Sequence, residues 1–174
     1  MLKKKQKWKN VEKVTAVVLA VIIMLLAAAT YARNGVWENG VRLWSDVVSK
    51  SPEKAKPHFN LGNAYKENED LINAEIAWRR TIEIEPRNSL ALNQLGNVHL
   101  ISGMLLEAKE YYTAAVESDK THAEARYNLA LTLEKLNEIE GALRNYELFL
   151  ETVPPEYHDL IPKVRERISL LSQS

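Results

Sequence analysis

From Val14 to Ala32 the chain carries no charged residue, and Thr15 and Thr30 are too few to make a polar stripe. As a helix these 19 positions reach about 28 Å, close to the hydrocarbon thickness of a bilayer. The pattern then changes. Residues 36–50 alternate apolar and polar positions with a helical period, include Trp37 and Trp44, and close on Ser51-Pro52. The same period predicts helices over 55–67, 71–84, 89–101, 105–118, 123–135 and 139–151. A last helix in "DLIPKVRERISLL" gathers Leu160, Ile161, Val164, Ile168 and Leu171 on one face. Every element predicted is a helix, so the fold class is all-α.

The helices repeat. Leu61-Gly62 recurs as Leu95-Gly96 and Leu129-Ala130, each 34 residues on. Ala74, Ala108 and Ala142 keep that step, as do Trp78, Tyr112 and Tyr146; Pro52, Pro86 and Pro154 fall on it with Lys120 in the missing place. A fixed period of this length marks stacked supersecondary units, none of which buries its apolar face alone. The small residues mark close approach of two helices, the aromatics fill the gap toward the next hairpin, and proline ends each second helix. On this register Ala108→Leu overpacks a helix contact at about 1–3 kcal/mol, whereas Ala123, near a repeat junction, is expected to be exposed and tolerant.

The four tracks resemble the tetratricopeptide repeat (TPR) family, with three full repeats at 55–88, 89–122 and 123–156. The resemblance implies a helical-hairpin solenoid over 55–156, with 157–174 as the capping helix that a solenoid end requires. One step back, Pro86, Trp78 and Ala74 land on Pro52, Trp44 and Gly40, so residues 33–54 read as the second half of a further repeat. Its first helix falls at about 21–34, the end of the apolar run, which either serves as that helix or replaces it. The family also implies a partner-binding groove lined by the first helix of each repeat. Carried onto this chain, the groove takes Phe59, Asn60, Asn63 and Lys66, then Leu90, Asn93, Gln94, Asn97 and Leu100, then Glu124, Tyr127, Asn128, Leu131 and Glu134. Side-chain amides both donate and accept, suiting the backbone of an extended or helical peptide; such amides equally suit exposed helix positions and bonds between repeats. The basic clamp by which some family members hold a carboxylate tail is missing: Phe59, Asn63, Gln94, Glu124 and Asn128 occupy its positions.

Charge orients the apolar run. Residues 1–13 hold six lysines against Glu12, a net of +5, so the remaining residues sum to −5. Basic residues stay on the cytoplasmic side, which places 1–13 in the cytoplasm and the repeats outside, on the periplasmic face if the membrane is a bacterial inner membrane. Tyr31, Arg33 and Trp37 form an interfacial set where the run ends. Ala27-Ala28-Ala29 offers a cleavage site for a signal peptide, but the length of the run favours a retained single-pass signal anchor over 14–32.

Little in the sequence points to catalysis. With no cysteine there is no thiolate metal site and no disulfide. Six glycines build no phosphate-cradling loop, and His58, His99, His122 and His158 lie in different elements without a metal-binding spacing. A mildly acidic repeat region lacks the basic face that nucleic acid needs. The reading is a non-enzymatic adaptor with no metal or cofactor, contacting the bilayer through 14–32 and protein partners through the repeats. A self-assembling homo-oligomer and a non-catalytic subunit or regulatory domain of a polytopic membrane transferase are its rivals.

Overall fold

The computed structural model describes Leu19, residues 21–24 and residues 40–173. The chain divides into two compact units, Met1–Leu43 and Trp44–Ser174. Leu19 and residues 21–24 are helical; the rest of the expected span at 14–32, and the interfacial set Tyr31, Arg33 and Trp37, lie outside the described residues. Among the described residues no helix is long and apolar enough to cross a membrane.

Among the described residues from Gly40 on, eight α-helices follow one another: α1 (Gly40–Lys50), α2 (Ala55–Glu67), α3 (Leu71–Ile84), α4 (Ser89–Ile101), α5 (Leu105–Ser118), α6 (Ala123–Lys135), α7 (Ile139–Thr152) and, after a 3₁₀ turn at Pro155–Leu160, α8 (Ile161–Leu171). The pairs α2–α3, α4–α5 and α6–α7 form hairpins, and α3–α4, α5–α6 and α7–α8 join them in series. Each hairpin turns through one residue of left-handed backbone, at Glu69 (φ 61°), Gly103 (φ 74°) and Asn137 (φ 60°), again 34 residues apart. Asp70 caps α3 by accepting from the Asn73 amide at 3.1 Å, and Asn88 caps α4 by accepting from Ala91 at 3.0 Å. Such caps satisfy donors that the first helical turn leaves open.

The core forms where the 34-residue tracks meet. Ala74, Ala108 and Ala142 are fully buried, as are Tyr112 and Tyr146, and Trp78 is nearly so. The glycines act differently from the expected close approach of helix backbones. A Cβ added at Gly62 would stand 2.5 Å from the Trp78 indole nitrogen, and one at Gly96 would stand 2.5 Å from Tyr112 Cε1. They make room for the aromatic ring of their own hairpin. Ala123 is a correction: it is 4% exposed, packed in the core at the start of α6, and so is no tolerant surface control. Val164 is fully buried, with Leu160, Ile168 and Leu171 packed around it, so the face expected of the capping helix does close the core.

Candidate functional site

The first helices α4 and α6 lie alongside each other, and they bring most of the predicted amides into one hydrogen-bonded chain. Asn128 donates through Nδ2 to Asn97 Oδ1 at 3.1 Å and to Asn93 Oδ1 at 3.3 Å. Asn97 donates to Gln94 Oε1 at 3.4 Å, and Lys66 Nζ of α2 reaches the same oxygen at 3.2 Å. This network joins all three repeats. Asn93 is almost wholly buried within it, while Gln94, Asn97 and Asn128 are half-buried and Lys66 is exposed.

Two of the predicted amides, Asn97 within the network and Asn63 outside it, also hold the hairpins. Asn97 Oδ1 accepts from the Tyr112 hydroxyl at 2.7 Å, and Asn63 Oδ1 accepts from Trp78 Nε1 at 3.2 Å. Asn63 and Asn97 sit one period apart, as do their aromatic donors. In the third repeat Leu131 takes that position, so the Tyr146 hydroxyl turns to Glu134 Oε2 at 2.9 Å. Glu134 is then ion-paired with Arg167 of α8. Sequence reasoning placed Glu134 along the groove but missed this tie, because nothing local in the sequence pairs residues 33 apart across a helix end.

The apolar members of the predicted groove lean toward the core. Tyr127 faces the Phe149 ring at a centroid distance of 5.5 Å and Tyr146 at 6.2 Å. Leu100 and Leu131 pack on the same cluster, and Phe59 packs on the cluster around Trp78. Asn60 is half-buried outside the amide network, and Leu90 is exposed. The Tyr157 hydroxyl is pushed up by burial and by the neighbouring carboxylates of Glu124 and Glu156. Burial and the charge of Glu124 likewise hold the Tyr112 hydroxyl in its protonated, donating form. Among the described residues no group of His, Cys, Asp and Glu side chains could hold a metal ion.

Two sequence models of the tetratricopeptide repeat match the chain, over residues 90–122 and 111–144. Among curated proteins, a protein O-mannosyl-transferase of Caenorhabditis elegans is 35% identical over 65 residues, which is 37% of this chain and 9% of that protein. The anaphase-promoting complex subunit CDC16 of Saccharomyces cerevisiae is 28% identical over 131 residues, 71% of this chain and 16% of that one. The chain therefore spans 9% and 16% of the length of these two relatives. The crystal structure of MamA superposes with a TM-score of 0.67 at 17% identity, covering 83% of this chain and 81% of that one. The first TPR of Spaghetti (RPAP3), bound to an HSP90 peptide, superposes with a TM-score of 0.59 at 18% identity, covering 69% and 91%. At those identities the likeness is one of fold. Residues 90–144 thus match the tetratricopeptide repeat in sequence, and the helical hairpins on a 34-residue period give the repeat region the fold of a TPR solenoid.

Proposed function

We propose that the chain is a protein-binding adaptor, without catalysis of its own, that holds a partner segment along its first helices. The observation that carries this reading is the amide network from Lys66 through Gln94 and Asn97 to Asn128, which lines up donors and acceptors across three repeats. A solved TPR structure with a peptide bound lends it support. In the same proposal residues 14–32 anchor the chain in the bacterial inner membrane, residues 1–13 stay in the cytoplasm, and the repeats face the periplasm, where they recruit or assemble a membrane or envelope complex. The apolar run and the lysine-rich start support that placement.

A second reading, a non-catalytic subunit or regulatory domain of a polytopic transferase, is favoured by the likeness to a protein O-mannosyl-transferase. Purification of the full chain in mild detergent, with mass spectrometry of what co-elutes, distinguishes a soluble or envelope partner from a polytopic enzyme or a second copy. The groove itself is tested with Asn60→Ala and Gln94→Ala together. Neither residue holds a core aromatic, unlike Asn63 and Asn97, so the melting temperature should stay within about 1–2 °C while co-elution falls several-fold. Undiminished co-elution would move the binding surface elsewhere.

A further inference from the structure

Away from the amide network, a cavity of about 480 Å³ opens between α1, α2 and α3. Its walls are mostly apolar, with Val48 from α1, Leu61 and Tyr65 from α2, and Ile76 and Ala77 from α3, and His58 and Asn73 add polar groups among them. Arg79, Arg80 and Glu83 stand at its rim. Ile76 is 60% exposed at the mouth, and Ile72, one turn earlier, is 76% exposed.

One period on, the corresponding place is filled. Ala77 becomes Tyr111, and Tyr65 becomes His99. The Tyr111 ring lies on the His99 ring at a centroid distance of 5.0 Å, and its hydroxyl accepts from Arg79 Nη1 at 2.9 Å. The second repeat thus supplies its own aromatic to a site whose counterpart in the first repeat is left open by an alanine. The rim also selects by charge. Arg79 is paired with Glu75 at 2.6 Å and Arg80 with Glu83 at 2.8 Å, so its charges are already matched. An incoming ion would have to break one of these pairs, whereas a neutral ring with a polar tip breaks none.

We propose that the cavity between α1, α2 and α3 is a second docking site that takes a neutral aromatic side chain, tyrosine or phenylalanine, from a partner polypeptide. The ring enters beside Ala77 and stacks on Tyr65 as Tyr111 does on His99, while Ile72 and Ile76 cover the backbone that carries it. This site is independent of the amide network, so each can fail without the other.

The test uses the full chain with ¹³C-labelled methyl groups, titrated with N-acetyl-tyrosine amide and N-acetyl-phenylalanine amide, which carry the ring on a peptide-like backbone. N-acetyl-leucine amide and N-acetyl-lysine amide are the controls. Saturable shifts at the Leu61, Ile76 and Ala77 methyls, at least fivefold tighter for the aromatic amides than for either control, are expected. Ala77→Tyr fills the site from within, as Tyr111 does, and should weaken binding tenfold or more while raising the melting temperature. Ile76→Arg changes only an exposed position, so it keeps the fold, and should weaken binding by a similar factor. Absence of saturable shifts at these methyls, equal response to the leucine or lysine amide, or binding unchanged in both variants would overturn the proposal. Asn60→Ala with Gln94→Ala should leave these titrations unmoved, which separates this site from the groove.

Discussion

At the scale of single residues, position 122 shows how the repeat leaves a place unoptimised. His122 stands at the N-cap of α6 with no side-chain capping bond, and its buried Nδ1 has no partner among the described residues. One period earlier Asn88 fills the same place and caps α4. Burial, against the opposing charges of Glu124 and Asp119, holds the His122 ring below its ordinary value near 6.5. The neutral form is therefore favoured in the fold, and the unfolded chain takes up the proton first as pH falls. Stability from this residue is whole above the ordinary value and is lost as pH drops through it, levelling off below the lowered folded value. We expect His122→Asn to install the missing cap, adding about 0.5–2 kcal/mol, or about 2–4 °C per kcal/mol in a chain of this length. It should also flatten the decline in melting temperature between about pH 7 and pH 5. A thermal scan across that range checks both effects, and an unchanged slope would show that another group controls the acid limb.

At the scale of elements, the hairpins were legible almost to the residue, because four tracks of residue identity share one step and each track has its own physical cause. Ala74, Ala108 and Ala142 are buried as that step requires, and five of the six helices expected over 55–151 end where predicted, α7 running one residue longer. What was illegible depends on geometry across elements. Ala123 read as a junction residue, yet the start of α6 turns inward and buries it. Asn63 and Asn97 read as groove amides, but their oxygens hold the indole and phenol of their own hairpins, which spacing along the chain does not reveal. The turns were also silent. Gly103 and Asn137 suit left-handed backbone, while Glu69 adopts it with a φ of 61°. A side chain there costs about 1 kcal/mol or more, less for asparagine, whose short polar chain tolerates it. Glu69→Asn should therefore raise stability by about 0.5–1 kcal/mol, read as a shift in urea midpoint at constant slope. A change in slope would point instead to the unfolded chain.

At the scale of the whole molecule, each hairpin of the Trp44–Ser174 unit is stabilised chiefly by its neighbours, so the ends decide how far opening spreads. The α8 end is closed twice over. Val164 is fully buried against the third hairpin, and Arg167 pairs with Glu134, which also accepts from the Tyr146 hydroxyl. The cap therefore reaches the aromatic that fills the third hairpin, and loosening it should free that hairpin before the first. Placing a charge at 164 buries an unpaired carboxylate and should strip α8 from the unit. In Val164→Glu, amide hydrogen exchange should accelerate most in α7 and α6, less in α5 and α4, and least in α3. A gradient of that kind follows from nearest-neighbour coupling. Uniform acceleration from α3 to α7 would mean that the three hairpins unfold as one block, and acceleration confined to α8 would mean that the cap covers the solenoid without stabilising it.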